Sequence, residues 1–146
     1  MMILLTQDNL DPEAVTASVC HDADGGVVTF LGTTRNETDG RRVLYLEYEA
    51  YEEMAEKMLT RIADEVRERW GIEHVALAHR FGRLEIGEVT MVVAVASPHR
   101  AEAFAACQYV VDRIKQSVPI WKKEVFQDGE MWVGTKAELH PSPLPE

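Results

Sequence analysis

The chain has 146 residues, of which 46% are hydrophobic, enough for one domain with a core of its own. Its formal net charge of -10 at pH 7 excludes a general nucleic-acid binder, because that affinity comes mainly from neutralising phosphates with Lys and Arg. Cys20 and Cys107 stand apart from each other and from any second ligand. They signal neither a metal site nor a disulfide framework, and a reducing cytosol is the expected compartment.

The opening MMILLTQDNL reads as a short strand, Met2 to Leu5, rather than a signal peptide: its apolar run is short and no basic segment precedes it. No stretch approaches the ~20 apolar residues that a membrane span needs. Asp11 then Pro12 is an N-cap followed by an N1 proline, predicting a helix to about Cys20. Val27 to Thr33 is β-branched and aromatic, hence a strand. A polar loop over 34–42 follows. Val43 to Ala50 is the next strand, with Leu44, Leu46 and Tyr48 expected on one face.

From Glu52 to Trp70 the period changes. Met54, Met58, Ile62 and Val66 recur every fourth residue, with Ala55 and Leu59 beside them, predicting an amphipathic helix with both methionines in the core and Gly71 just past its end. Val75 to Phe81 and Val89 to Ser97 are two further strands around a Gly-containing segment. Ser97-Pro98 repeats the cap-then-proline signal. The helix it opens carries Phe104, Cys107, Val111, Ile114 and Val118 on one stripe and stops at Pro119. Lys122 to Phe126 and Met131 to Val133 predict a terminal hairpin with a type I′ turn at Asp128-Gly129. Two long helices mixed with several antiparallel pairs make the class α+β. One domain is expected over 1–140, with a loose proline-rich tail over 141–146.

An acidic protein can still hold a local basic pocket, and such a pocket would stand out to an anion. Four places are candidates for one. The first is Gly32-Thr33-Thr34-Arg35-Asn36, where Arg35 follows a strand. The second is Ser97-Pro98-His99-Arg100. A helix start attracts anions, and ordinary helices place acids there. His99 and Arg100 have the wrong sign for helix stability alone, which fits a bound phosphate or carboxylate; the plainer alternative is two solvated side chains. The third is Lys115, at the border of the apolar stripe, where a stem covering apolar surface with its amine in water is the plainer reading. The fourth is Pro119 to Glu124. Alternation sends Trp121 and Lys123 to one face, and Lys122 to the other with Ile120 and Glu124. Cys107 falls on the apolar stripe and reads as core. Cys20 beside His21 is a poor dyad, because catalytic partners converge in space and not in sequence. His74 and His79 show no ligand spacing, so no metal is expected.

Taken together, the segments GGVVTFLGTTRNET (25–38), LEYEAYEEMAEKML (46–59), HRFGRLEIGE (79–88), VAVASPHRAEAF (93–104) and VDRIKQSVPIWKKE (111–124) resemble the molybdopterin synthase catalytic subunit family. Thr34 stands where that family more often has valine. The resemblance implies an α/β-hammerhead fold with an additional antiparallel β subdomain, and a homodimer at the centre of a heterotetramer. It implies a small ubiquitin-like partner whose Gly-Gly tail ends in a thiocarboxylate. The substrate would be cyclic pyranopterin monophosphate, and no cofactor is implied. The family's active-site lysines fall on Lys115 and Lys122, and its basic substrate contacts on Arg35, His99 and Arg100. Arg35 is expected to come from a neighbouring protomer. A non-catalytic module that grips a ubiquitin-like tail or a phosphorylated ligand is the alternative. An RNA-binding domain is disfavoured by the charge and by the lack of an aromatic-rich strand.

Overall fold

A computed structural model describes residues 1–133, and for 130–133 the backbone only. The expected tail over 141–146 and the end of the expected domain lie outside the described residues. The class is α+β, as the sequence predicts, and it is built from two sheets.

The first sheet has the order β1-β5-β7-β2, where β1 is Met2–Thr6, β2 is Gly26–Thr33, β5 is His74–Arg80 and β7 is Val89–Ser97. β1 runs parallel to β5, and the other pairs are antiparallel. β5 and β7 sit centrally and are covered on both faces, which is why they read as nearly unbroken apolar runs. Leu77, Val93 and Val95 pack on one face against α2 (Glu52–Trp70) and α3 (Arg100–Ser117). Ala76, Ala78, Val92 and Ala94 meet α1 (Pro12–Ala17) on the other. Burying a Leu or Val side chain fully contributes about 1.5–3 kcal/mol.

The second sheet joins β3 (Glu37–Thr38), β4 (Arg41–Ala50), β8 (Ile120–Phe126) and β9 (Gly129–Val133), while β6 (Gly82–Glu85) also pairs with β4. It is the additional antiparallel subdomain. Its own small core is Val43, Leu46 and Phe126.

The differences from expectation are local. Asp11 caps α1 through Oδ1, which accepts from the Ala14 N–H at 3.2 Å. The helix itself ends at Ala17 and continues to Cys20 as tighter turns, Val19 N to Thr16 O and Cys20 N to Ala17 O, both 3.2 Å. The loop over 34–42 contains the β3–β4 hairpin. Its turn residues, Asp39 at φ 52 and Gly40 at φ 79, have the positive φ pair of a type I′ turn. The terminal hairpin turns instead at Gln127-Asp128, neither at positive φ, so it is not type I′. A bulge between Val43 and Tyr45 shifts β4 by one residue. Leu44 therefore faces solvent, and Val43 takes the inward place beside Leu46.

Each helix stripe holds in part: Ile62 and Val66 of α2, and Cys107, Ile114 and Val118 at α3, are buried as expected. α2 buries Ala55, Leu59, Ile62, Ala63 and Val66, and leaves Met54 53% exposed. α3 buries Ala103, Ala106, Cys107, Val110 and Ile114, and leaves Phe104 62% exposed. Met54 and Phe104 are the expected core residues that lie outside, and the small Ala55 and Ala103 are buried next to them. The N-cap of α3 is His99 rather than Ser97, whose hydroxyl donates to the His99 carbonyl at 2.9 Å.

A cationic cleft between the two sheets

A cleft of about 430 Å³ opens where the end of the first sheet meets the second. Arg35, Lys115 and Lys122 line it together, with Tyr48, His79, Thr90 and Glu124.

Each cation is placed by a local feature. β2 changes register between Gly32 and Thr33 as it leaves β7. A Cβ on Gly32 would lie 2.9 Å from Thr90 Oγ1, so only glycine lets the strand run this close. Thr34 then anchors the chain: its N–H and its hydroxyl both reach the Glu88 carbonyl, at 3.0 and 3.2 Å, and its own carbonyl accepts from Gly87 N–H at 2.9 Å. The hydroxyl gives a second tie that valine could not. Arg35 leaves this anchor into the cleft of its own chain; the expectation that a neighbouring protomer supplies it is corrected.

Lys115 lies in the last turn of α3, where the helix dipole favours a cation. Pro119 stops the helix, and β8 starts at once. The two lysines thus approach the cleft from the two sides of one corner. Alternation along β8 works as the sequence predicts. Ile120, Lys122 and Glu124 face the cleft, Lys123 Nζ pairs with Glu47 Oε1 at 3.1 Å on the other face, and Trp121 meets the Tyr51 ring edge-on. β8 lies between β4 and β9, so it is not an edge strand.

The electrostatics are those of crowded cations with one buried counter-charge. Burial pushes the Lys122 amine below its usual value, and Lys115 and Arg35 push the same way, while Glu124 opposes them. A lysine depressed in this way costs stability below its folded pKa, and the cost disappears as pH rises above its unfolded value. Glu124 is 4% exposed, and its Oε2 accepts from the Thr38 hydroxyl at 2.8 Å. Glu124→Gln removes the one influence that raises the Lys122 pKa. The Lys122 value, read from its ¹³Cε chemical shift, is expected to fall below that of the unmodified protein; an unchanged titration would remove Glu124 as its counter-charge.

His99 and Arg100 are not in this cleft. They sit exposed at the opposite end of α3. Fifteen residues at 1.5 Å rise put Arg100 roughly 22 Å from Lys115 along the axis. Gly25 and Gly26 pack against this helix start, and a Cβ on Gly26 would come within 3.3 Å of Arg100 Cα. One chain therefore joins three of the five expected site residues.

Sequence reasoning missed His79, Tyr48, Thr90 and Glu124 as lining residues. The available signal was a polar group inside an otherwise apolar strand, as in HVALAHR and VTMVVAVAS. Cys107 is buried, and burial pushes its thiol up to about 11, in keeping with a core role. His21, Asp24 and His74 converge elsewhere, although their spacing gave no hint of it. His74 Nδ1 is 2.7 Å from Asp24 Oδ2, and His21 Nδ1 accepts from Ala23 N–H at 3.3 Å while its ring stacks on His74. One nitrogen of each ring is thus already engaged, which makes the cluster an internal clamp between the 20–25 turn and β5.

Comparison with known proteins fits this geometry. The family model described as MoaE protein matches residues 5–117. The molybdopterin synthase catalytic subunit of Halalkalibacterium halodurans is 51% identical over 131 residues, 90% of this chain and 84% of that one. The crystal structure of molybdopterin synthase from Staphylococcus aureus superposes with a TM-score of 0.84 at 41% identity, covering 91% of this chain and 96% of that one. A Helicobacter pylori structure described as a complex of subunits 1 and 2 of molybdopterin-converting factor shares the fold, with a TM-score of 0.74 at 19% identity, covering 90% of this chain and 89% of that one. The chain that folds around this cleft of two lysines and an arginine belongs to the MoaE protein family, whose relatives include molybdopterin synthase catalytic subunits.

Proposed function

We propose that the chain is the catalytic subunit of a molybdopterin synthase. It moves sulfur from the thiocarboxylated C-terminus of a small ubiquitin-like carrier onto cyclic pyranopterin monophosphate, forming the dithiolene of molybdopterin. The observation that carries this reading is the convergence of Arg35, Lys115 and Lys122 in one cleft of a chain whose net charge is -10. Both reactants are anionic, and two anions meet only where cations offset their repulsion.

In this reading Lys115 stands beside the carrier's terminal carbonyl and stabilises the charge that develops there. Lys122, partly buried and with its pKa lowered, orients the tail or the pterin and can take part in proton transfer. Arg35 offers a fork of donors to phosphate. His99 and Arg100 reach the pterin phosphate from a second copy of the chain, because in their own chain they lie at the wrong end of α3. The working assembly is then a homodimer with one carrier at each cleft. The Helicobacter pylori complex of two subunits supports a carrier partner for this fold. The sulfur arrives on the carrier, so the reaction calls for no resident cofactor or metal. No helix among the described residues is long and apolar enough to cross a membrane; we place the protein in the cytosol.

The deciding experiment is incubation with a thiocarboxylated carrier and the cyclic pterin, followed by mass detection of product. A gain of two sulfurs per pterin is expected. Carrier binding without any sulfur gain would leave a binding module in place of an enzyme.

A further inference from the structure

His79 ends the apolar run of β5 with its ring at the floor of the cleft, 6% exposed and edge-on to Tyr48 at 5.4 Å between centroids. Its Nδ1 lies 2.7 Å from the Arg80 carbonyl oxygen. A carbonyl only accepts, so Nδ1 carries the hydrogen, and in the neutral ring Nε2 is left with a bare lone pair. The ring is neutral across the physiological range. Burial pushes its pKa down to about 4, the Lys115 charge adds to that, and the Arg80 carbonyl opposes it. Among the described residues nothing hydrogen-bonds Nε2, and the atom is not sealed off: it opens on the cleft.

Lys115 supplies the complement. Its ammonium lines the same cleft and has no ion pair or hydrogen bond among the described residues. One cavity thus holds a donor without an acceptor and an acceptor without a donor. In open cleft water serves both. Once reactants displace that water, an unmatched pair costs free energy and a matched pair does not.

Resting on the sulfur-transfer reading above, we propose that His79 is a positioning residue for Lys115: its bare Nε2 accepts from the Lys115 ammonium in the filled cleft and aims that amine at the reacting centre. Its role is to hold the amine and not to take its proton, since so weak a base cannot deprotonate an ammonium efficiently. The other titratable groups lining the cleft with the ring are Tyr48 on β4, Lys122 and Glu124 on β8, and Arg35 after β2. Burial pushes the Tyr48 hydroxyl up to about 12, so it stays protonated.

The test compares His79→Gln, which keeps a neutral acceptor near the Nε2 position, with His79→Leu, which does not. His79→Leu is expected to lower kcat about 10- to 100-fold with KM for the pterin changed little. His79→Gln is expected to stay within about threefold of the unmodified enzyme in kcat. Equal loss in both folded variants, or full activity in His79→Leu, would overturn the assignment.

Should thermal melting show that His79→Leu does not fold, ¹⁵N-histidine spectra decide. With the cyclic pterin bound, the His79 Nε2 resonance should differ between the unmodified protein and Lys115→Ala. Identical Nε2 shifts would refute the contact. This spectrum needs no turnover, so its outcome is separate from that of the sulfur-transfer reading.

Discussion

Lys115→Ala is expected to abolish sulfur transfer while leaving the fold and carrier binding intact. The side chain is exposed at the end of α3, so its truncation removes no core packing; the buried neighbour Ile114 holds the helix in place. In the proposed reaction, what is lost is the cation beside the carrier's carbonyl, in a cleft that excludes water as it fills. Removing one such stabilising group commonly lowers turnover about 10²–10³-fold. Single-turnover product formation measures this, with calorimetry of carrier binding as the control. Lys115→Arg separates two roles. A guanidinium preserves charge and does not readily give up a proton, so recovery of rate would assign Lys115 a purely electrostatic task. Wild-type turnover in the alanine variant would exclude Lys115 from the mechanism.

The second large effect concerns the two ends of α3. If Arg100 serves the cleft of a second copy, Arg100→Ala and Lys115→Ala homodimers are each inactive, and mixing them restores activity. A random mixture is half heterodimer, and each heterodimer has one site with both groups and one with neither. About a quarter of the full complement of sites should therefore work. Differently tagged chains, unfolded and refolded together, provide the mixture and show that heterodimers formed. Persistent inactivity in demonstrated heterodimers would mean that Arg100 does not complete a partner's cleft.

Some of this architecture was legible in the residues, and the limits are physical. The inward set Ile120, Lys122 and Glu124 follows from the period of a strand, which needs no knowledge of neighbours. The ends of α2, and Pro119 as the stop of α3, follow from chemistry within a turn. The bulge at Val43 and Tyr45 does not, because it arises between β4 and its partner β8. His79 was visible as a histidine in an apolar strand, but its meaning depends on the Arg80 carbonyl beside it and on α3 arriving from 36 positions away. Met54 and Phe104 were placed inside because bulk was taken for burial; Ala103 and Ala106 let α3 lie close on the sheet where Phe104 could not. The separation of Arg100 from Lys115, by contrast, was implicit in helix rise alone. Helix length rules out their meeting within one chain's cleft.

The corner at Pro119 has a consequence for how this chain tolerates change. Between Ser117 and Ile120 the backbone reverses with two hydrogen bonds, Val118 N–H to the Ile114 carbonyl at 3.2 Å and Ile120 N–H to the Val118 carbonyl at 2.8 Å. Adding or deleting one amino acid there could leave both sheets standing, yet it would exchange the inner and outer sets of β8 and turn Lys122 outward in place of Lys123. The number of residues in this bend therefore decides which lysine the site receives.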